Sequence, residues 1–141
     1  MREPSKTLWE ALKRKYTAPP KARPRHIESD IQIACVNWFR SELSELSDLL
    51  FSVPNGGQRN AITAKMMKRE GVVAGVSDLI LFVPSKGYHA LCIEMKTDKG
   101  KQSDKQKKWQ KQVERQGYKY IICRSVDEFA KEITEYIRAE I

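Results

Sequence analysis

Three charged residues stand at the ends of two neighbouring apolar runs. Asp78 opens a strand that ends near Val83, and Glu94 and Lys96 end the next strand along the chain. Residues two apart on a strand project to the same face of the sheet, so the side chains of Glu94 and Lys96 lie on one face. The short turn between the strands predicts an antiparallel hairpin, which brings the start of one beside the end of the other. We therefore expect the three side chains to converge at one edge of a sheet.

Two carboxylates and a lysine in this arrangement suit divalent-metal chemistry. Mg²⁺ prefers oxygen ligands, which Asp78, Glu94 and the backbone carbonyl of Met95 can supply. A metal held in this way polarises a phosphodiester and lowers the pKa of a bound water. Lys96 can orient that water and stabilise developing negative charge. An isolated Glu-X-Lys is more often a surface ion pair, and an Asp at this place can cap a turn, so both interpretations stay open.

The elements that must position these residues follow from hydrophobic spacing and capping signals. Apolar residues at three- and four-residue intervals predict an amphipathic helix from Glu28 to about Leu43. The other predicted elements are strands at 51–53, 78–83, 88–96 and 118–124 and helices at 61–70, 103–116 and 125–139, two of them opened by Ser-X-X-Gln or Ser-X-X-Glu capping boxes. The order predicts an α/β fold, a small mixed β-sheet flanked by helices, with parallel pairing across the 96–118 crossover.

Length and composition indicate one compact domain behind a basic arm. The chain has 141 residues, which fits a single core. Residues 1–26 are basic and include a proline-rich stretch, which predicts a flexible N-terminal arm ahead of a domain at 27–141. No run approaches a membrane span or a signal peptide, so we expect a cytoplasmic protein. The cysteines have no zinc spacing and are expected to be buried, reduced thiols: Cys35, Cys92 and Cys123.

Positive charge is concentrated in two separate segments. The net charge is +8; residues 1–26 contribute +6 and residues 96–124 contribute +7, whereas 27–95 and 125–141 are slightly acidic, at −2 and −3. Such surfaces attract polyanions because neutralised phosphates release their counterions. On charge alone, a nucleic-acid-binding protein and a merely soluble basic protein are equally consistent with the sequence.

Three motifs resemble the VRR-NUC branch (virus-type replication-repair nucleases) of the PD-(D/E)XK superfamily. They are the stretch Gly75-Val-Ser-Asp78-Leu, the strand Ile-Glu94-Met-Lys96 and the helix start Ser103-Asp-Lys-Gln106-Lys-Lys-Trp109. The similarity covers about residues 27–125 and is to phage-type, stand-alone members. Ser77 stands where the superfamily signature has proline, and members of the VRR-NUC branch commonly have a residue like this serine in place of the proline. The resemblance implies a restriction-endonuclease-like core.

The resemblance implies a metal-dependent DNA endonuclease that uses Mg²⁺, with Mn²⁺ able to substitute. Its catalytic residues would be Asp78, Glu94 and Lys96, joined by Glu28 at the metal and by Gln106, which matches the family's helix glutamine. From the residues alone, Glu28 is as readily explained by the favourable field at a helix N-terminus. Gln106 is explained by its capping bond, and this residue can cap the helix and act at the site at the same time.

Residues near the predicted site are candidates for DNA contacts. Gln32 lies one helical turn after Glu28, and Arg59 lies in a glycine-containing loop that can expose backbone amides. Lysines beside the catalytic strand are expected to contact the DNA backbone: Lys99, Lys101, Lys105 and Lys108. An ordinary loop and a solvated helix face are the alternative interpretations.

The resemblance also implies a substrate class and an assembly. Small stand-alone members look like homodimers that act on four-way (Holliday) junctions or other branched DNA, since a two-fold dimer can cut two symmetric strands. The expected setting is a bacterial or phage-infected cytoplasm. The alternatives are a nuclease for flapped, nicked or linear duplex DNA, a non-catalytic DNA-binding module, and a protein that docks onto a replication factor through residues 1–26. The filled catalytic positions weigh against the non-catalytic module.

Overall fold

The computed structural model describes residues 27–54 and 60–138. The predicted basic arm and Arg59 lie outside these described residues. The elements in chain order are α1 Ile27–Glu42, a 3₁₀ helix Ser44–Leu49, β1 Leu50–Ser52, α2 Ala61–Arg69, β2 Leu79–Leu81, β3 Leu91–Met95, α3 Asp104–Arg115, β4 Lys119–Cys123 and α4 Val126–Ile137. The predicted element order is confirmed. The 3₁₀ helix was not expected, because its short polar sequence has no helical periodicity.

The four strands form one mixed sheet in the order β1-β2-β3-β4. β2 pairs antiparallel with both β1 and β3, and β3 pairs parallel with β4. The predicted α/β class and the parallel crossover are therefore confirmed. β2 and β3 are shorter than the predicted strands because the connecting turn closes on itself through the backbone bonds between Ser85 and Tyr88.

One face of the sheet forms the hydrophobic core with α1 and α4. Alternate residues of β2 and β3 point to this face, as the two-residue period of a strand requires. The core contains from these strands Leu79, Leu81, Leu91, Ile93 and Met95, and from the helices Ala34, Cys35, Phe39, Phe129, Ile133 and Tyr136. The rings of Trp38 and Phe129 meet edge to face at 6.0 Å and join α1 to α4. The intervening residues, Glu94 among them, consequently point to the opposite face.

α3 packs against the opposite face over β4. Trp109 on α3 meets Tyr120 on β4 with ring centroids 6.2 Å apart, and the Gln102 amide donates to the Tyr120 hydroxyl at 3.1 Å. The predicted capping box is present: Ser103 Oγ accepts from the Gln106 amide, and Gln106 Oε1 accepts from the Ser103 amide. The start of α3 is therefore fixed relative to β3 and β4.

Two further sequence expectations concern burial. The three cysteines are buried free thiols, as predicted, and burial raises the pKa of Cys92 to about 11. α2, like α3, has no buried residue, and Ile62 on it is 78% exposed. Among the described residues, none of the helices has the length and apolar character that a membrane crossing requires.

Candidate functional site

Asp78 is held in place by its loop, its neighbouring strands and α3. The loop before it contains Gly75 at φ +91°, and a Cβ there would lie 2.5 Å from the carbonyl oxygen of Lys105, so only glycine permits this approach to α3. The Asp78 carbonyl accepts from the Val53 amide at 2.9 Å. Its carboxylate oxygen Oδ2 accepts from the Met95 amide at 2.8 Å. Asp78 thus bonds the end of β1 and β3, and the loop that leads to it lies against the start of α3.

Glu94 is a buried carboxylate with one satisfied oxygen. Only 1% of the residue is exposed. Its Oε1 accepts from the Gln106 side-chain amide at 2.8 Å and lies 3.7 Å from Lys96 Nζ. Its Oε2 has no hydrogen-bond partner among the described residues. Because an unpaired buried carboxylate oxygen is costly, this atom marks a place where a positively charged ligand would be stabilised.

Three carboxylates converge at this point. Glu28 from the first turn of α1, Asp78 before β2 and Glu94 on β3 each offer an oxygen, and these oxygens all lie within 4.8 Å of one another. Burial, followed by the charge of Asp78, raises the pKa of Glu94 to about 8. Burial also raises the pKa of Glu28, against the opposing effect of Lys96. The crowding of acids around one lysine leaves an excess of negative charge in a partly buried space.

The donor set fits a hard divalent cation. Carboxylate oxygens are the ligands that Mg²⁺ and similar ions prefer, and the unpartnered Oε2 of Glu94 supplies a lone pair with no competing donor among the described residues. A cation at this point would neutralise the mutual repulsion that raises the pKa of Glu94. Glu28, Asp78 and Glu94 are therefore the residues that can hold a metal.

Comparison with known proteins assigns the chain to a family. The VRR-NUC domain model matches residues 13–127, most of the chain. The chain belongs to the VRR-NUC family. A solved structure of a VRR_NUC domain protein is similar to it at 27% sequence identity, with a TM-score of 0.69 over 78% of this chain and 87% of that chain. No curated protein matches the chain. VRR-NUC membership implies a nuclease-type DNA-processing domain whose substrate is DNA.

Two predicted residues of this VRR-NUC domain lie at the start of a helix and also reach the carboxylate cluster. Glu28 lies in the first turn of α1, where an acid is favourable, and it also belongs to the carboxylate cluster. Gln106 uses its carbonyl oxygen to cap α3 and its amide to bond Glu94. In both cases the helix-terminal position is what brings the side chain to the cluster.

Five of the six residues predicted to contact DNA are among the described residues, and none of these five belongs to the carboxylate cluster. The four lysines are exposed; Lys99 and Lys101 lie in the loop after β3, and Lys105 and Lys108 lie on α3. Gln32 is half-buried on α1, one turn from Glu28. The Met95 amide bonds Asp78, whereas metal binding by the Met95 carbonyl stays a prediction.

Arg124 is a positioning residue of the VRR-NUC domain that the sequence did not reveal. Its Nη1 donates to the carbonyls of Thr97 and Gly100, both at 2.7 Å, and it therefore fixes the loop that follows β3. The parallel register pairs Met95 with Cys123, so Arg124 comes next to Lys96. Only the pairing of β3 with β4 brings Arg124 beside Lys96, and local sequence does not specify that pairing.

Proposed function

We propose that this chain is a Mg²⁺-dependent DNA endonuclease, with Mn²⁺ able to replace Mg²⁺. The observation that carries the proposal is the meeting of three carboxylates within 4.8 Å, one of them with a buried oxygen that lacks a partner among the described residues. Glu28, Asp78 and Glu94, with the backbone carbonyl of Met95, would bind the ion. VRR-NUC membership supports nuclease chemistry at this cluster.

The surrounding residues have separable tasks in phosphodiester hydrolysis. A bound divalent ion supplies charge neutralisation and lowers the pKa of water. Gln106 holds Oε1 of Glu94, so that the carboxylate keeps one orientation. Lys96 lies beside the same oxygen, from which its ammonium group can orient the attacking water and stabilise negative charge that develops on the phosphate. Asp78 keeps its position through the Met95 amide.

We further propose branched DNA, such as a four-way junction, as the substrate and a homodimer as the active assembly. Exposed apolar residues on and after α2 support an assembly, because a second copy can remove them from water: Ile62, Met66, Val72 and Val73. A two-fold dimer would present two metal centres to two symmetric strands. Flapped, nicked and linear duplex DNA are the competing substrates.

The test is cleavage of labelled four-way junction, flap and linear duplex DNA in Mg²⁺, Mn²⁺ or EDTA. We expect cutting in either metal, none in EDTA, and the fastest cutting on the junction. Lys96→Ala should reduce the cleavage rate by at least about 10²-fold, the usual loss when a charge-stabilising group is removed, while DNA affinity is retained.

Lys131→Ala is the matched control, because Lys131 is an exposed lysine on α4. It should leave cutting unchanged. DNA binding without cutting on every substrate would instead support the non-catalytic DNA-binding module. Equal cutting of all three DNA shapes would contradict the junction preference but not the nuclease.

A further inference from the structure

The segment that contains α2 leaves the sheet and returns to it beside the carboxylate cluster. Before α2, β1 ends at Ser52, and the amide of the next residue, Val53, donates to the carbonyl of Asp78 at 2.9 Å. After α2, the chain passes Gly75, where an added Cβ would lie 2.5 Å from the carbonyl oxygen of Lys105 on α3, and reaches Asp78 three residues later. Both ends of this segment therefore lie at the end of the sheet where the metal would bind.

α2 has little contact with the rest of the described chain. Eight of the nine residues of Ala61–Arg69 are exposed, and Met67 is half-buried. By contrast, α3 packs on β4 through the ring of Trp109. Helices shorter than about 12–15 residues are marginally stable without tertiary packing. A ligand that covers α2 would therefore stabilise it.

The ends of α2 are fixed by caps of its own. At the start, Asn60 Oδ1 accepts from the amide of Thr63 at 2.8 Å. At the end, the amide of Gly71, at φ +107°, donates to the carbonyl of Lys68 at 3.1 Å. The helix thus has defined ends although its sides are exposed, which suits docking of a ligand along one side.

One side of α2 is basic. Lys65, Lys68 and Arg69 are exposed, and at 3.6 residues per turn they lie within an arc of about 100°. Met67 lies about 150° from the centre of this arc, so the basic side faces away from the half-buried one. The helix contains no acidic residue. The three basic side chains form no ion pair or hydrogen bond with another residue in 27–54 and 60–138.

The charge of this basic face fits DNA better than it fits a second copy of the chain. Three cations on an exposed surface attract phosphates and release their counterions, and DNA is the substrate that VRR-NUC membership implies. A two-fold contact through this face would bring the cations of both copies together, which is unfavourable. The exposed apolar residues Ile62 and Met66 lie on the adjoining side of the helix and stay available to a second copy.

We propose that the basic face of α2 (Lys65, Lys68 and Arg69) binds the phosphate backbone of the DNA next to the phosphodiester that is cut. The inference rests on the proposed nuclease function and deepens it, since it names an element that holds the substrate beside the carboxylate cluster. Contacts to phosphates position a duplex without reading its bases. DNA bound along this face would also stabilise α2.

The first measurement is DNA affinity in EDTA, where the metal-dependent cutting proposed above is blocked. The full chain is titrated into a labelled four-way junction at several salt concentrations. Lys65→Ala combined with Lys68→Ala should reduce the slope of log K against log salt by about 1.8, the value for two phosphate contacts. Alanine favours helices, so α2 should stay folded, which circular dichroism checks. In Mg²⁺ the double variant should raise KM and leave kcat unchanged, because it loses binding only.

Hydrogen exchange provides a second, independent measurement. The amides of α2 should exchange more slowly when the junction is bound, because DNA would stabilise the helix. The double variant should lose most of this protection. Lys131→Ala combined with Arg138→Ala is the matched control, because both residues are exposed cations on or after α4. It should keep the salt slope and the protection of α2.

Three results would overturn the proposal: an unchanged salt slope in the double variant, an equal loss of slope in the control, or exchange in α2 that DNA does not slow. Each would leave the basic side as a solvated surface. A double variant that changes from dimer to monomer in sedimentation would also overturn it and assign the face to a subunit interface. Loss of slope and protection in a protein that cuts no DNA in either metal would refute the nuclease proposal while keeping the DNA contact.

Discussion

Glu94 combines three properties that seldom occur together in a side chain without a ligand. It is buried, one of its oxygens has no partner among the described residues, and its pKa is raised to about 8. Burial is the larger cause and the charge of Asp78 the next. A structural ion pair with Lys96 alone would leave Oε2 unsatisfied, whereas a divalent cation would satisfy it. The burial of Glu94 therefore favours its interpretation as a metal ligand over its interpretation as a member of a surface ion pair.

The raised pKa of Glu94 predicts a pH-dependent stability in the metal-free protein. Its pKa rises from about 4.5 to about 8 on folding, so between these values the folded state holds a proton that the unfolded state has released. The contribution is fully present below pH 4.5 and is lost as pH rises through 8. Thermal unfolding in EDTA should show this loss, and Glu94→Gln should reduce it. Stability in EDTA that Glu94→Gln leaves unchanged in its pH dependence would contradict the assignment.

Gln106 offers a second prediction at the residue scale, because its two bonds can be separated. Gln106→Ala removes one of the two capping-box bonds and the bond to Glu94, whereas Ser103→Ala removes only the other capping-box bond. Each should lower the free energy of unfolding by about 1 kcal/mol. Only Gln106→Ala should also weaken Mg²⁺ binding, by about 10–100-fold, as measured by calorimetry. Equal Mg²⁺ affinity in the two variants would show that the Glu94 contact does not orient a ligand.

At the scale of elements, the contact between the Gly75 loop and α3 joins the two halves of the site. Asp78 follows this loop, and Gln106 follows the α3 residue that Gly75 touches. The Gly-Val-Ser-Asp motif therefore has a packing reason: its glycine lets the backbone that leads to Asp78 lie against the helix that orients Glu94. Arg124 fixes the loop that follows β3, at the other side of the site.

Gly75→Ala should consequently disturb both stability and metal binding. The new Cβ meets the α3 backbone at 2.5 Å, and the positive φ adds strain. Gly71→Ala is the control, since Gly71 also has a positive φ but has no atom within 4 Å of an added Cβ. Both should lose stability, Gly71→Ala by about 1–2 kcal/mol and Gly75→Ala by more. Only Gly75→Ala should lose Mg²⁺ affinity; similar losses in both would remove the packing argument.

At the scale of the whole molecule, charge divides the protein into a negative centre and positive surroundings. The carboxylate cluster would repel DNA without a metal, whereas exposed lysines on α3 and in the loop before it would attract the phosphates. In the proposed function, the net charge of +8 would favour encounter with DNA, and the carboxylate cluster would carry out the reaction. DNA affinity and cutting should accordingly be lost through different substitutions.

The salt dependence of DNA binding tests this division. Lys105→Ala should reduce the slope of log K against log salt by about 0.9, the value for one phosphate contact on duplex DNA. Lys131→Ala, on α4, should leave the slope unchanged. Binding isotherms at several salt concentrations measure both slopes, and a flat dependence in the unmodified protein would contradict phosphate binding by this surface.

The sequence by itself determined the elements and the local part of the site. The Ser103–Gln106 capping box and the apolar stripe of α1 lie within one or a few helical turns, so their signals are complete in the sequence. Asp78 and Glu94 also meet through a local connection, because a short turn joins their strands and antiparallel pairing brings the strand ends together. That is why these two residues and Lys96 could be placed in advance.

Only the tertiary structure decided which distant residues join them. Glu28 reaches Asp78 and Glu94 because it lies in the first turn of α1, and the placement of α1 is set by packing of buried side chains far apart in the chain. The position of Arg124 beside Lys96 likewise depends on the parallel register of β3 and β4. Local sequence patterns do not predict such contacts. Periodicity and capping residues determine the type and bounds of an element, whereas packing determines which other elements it contacts.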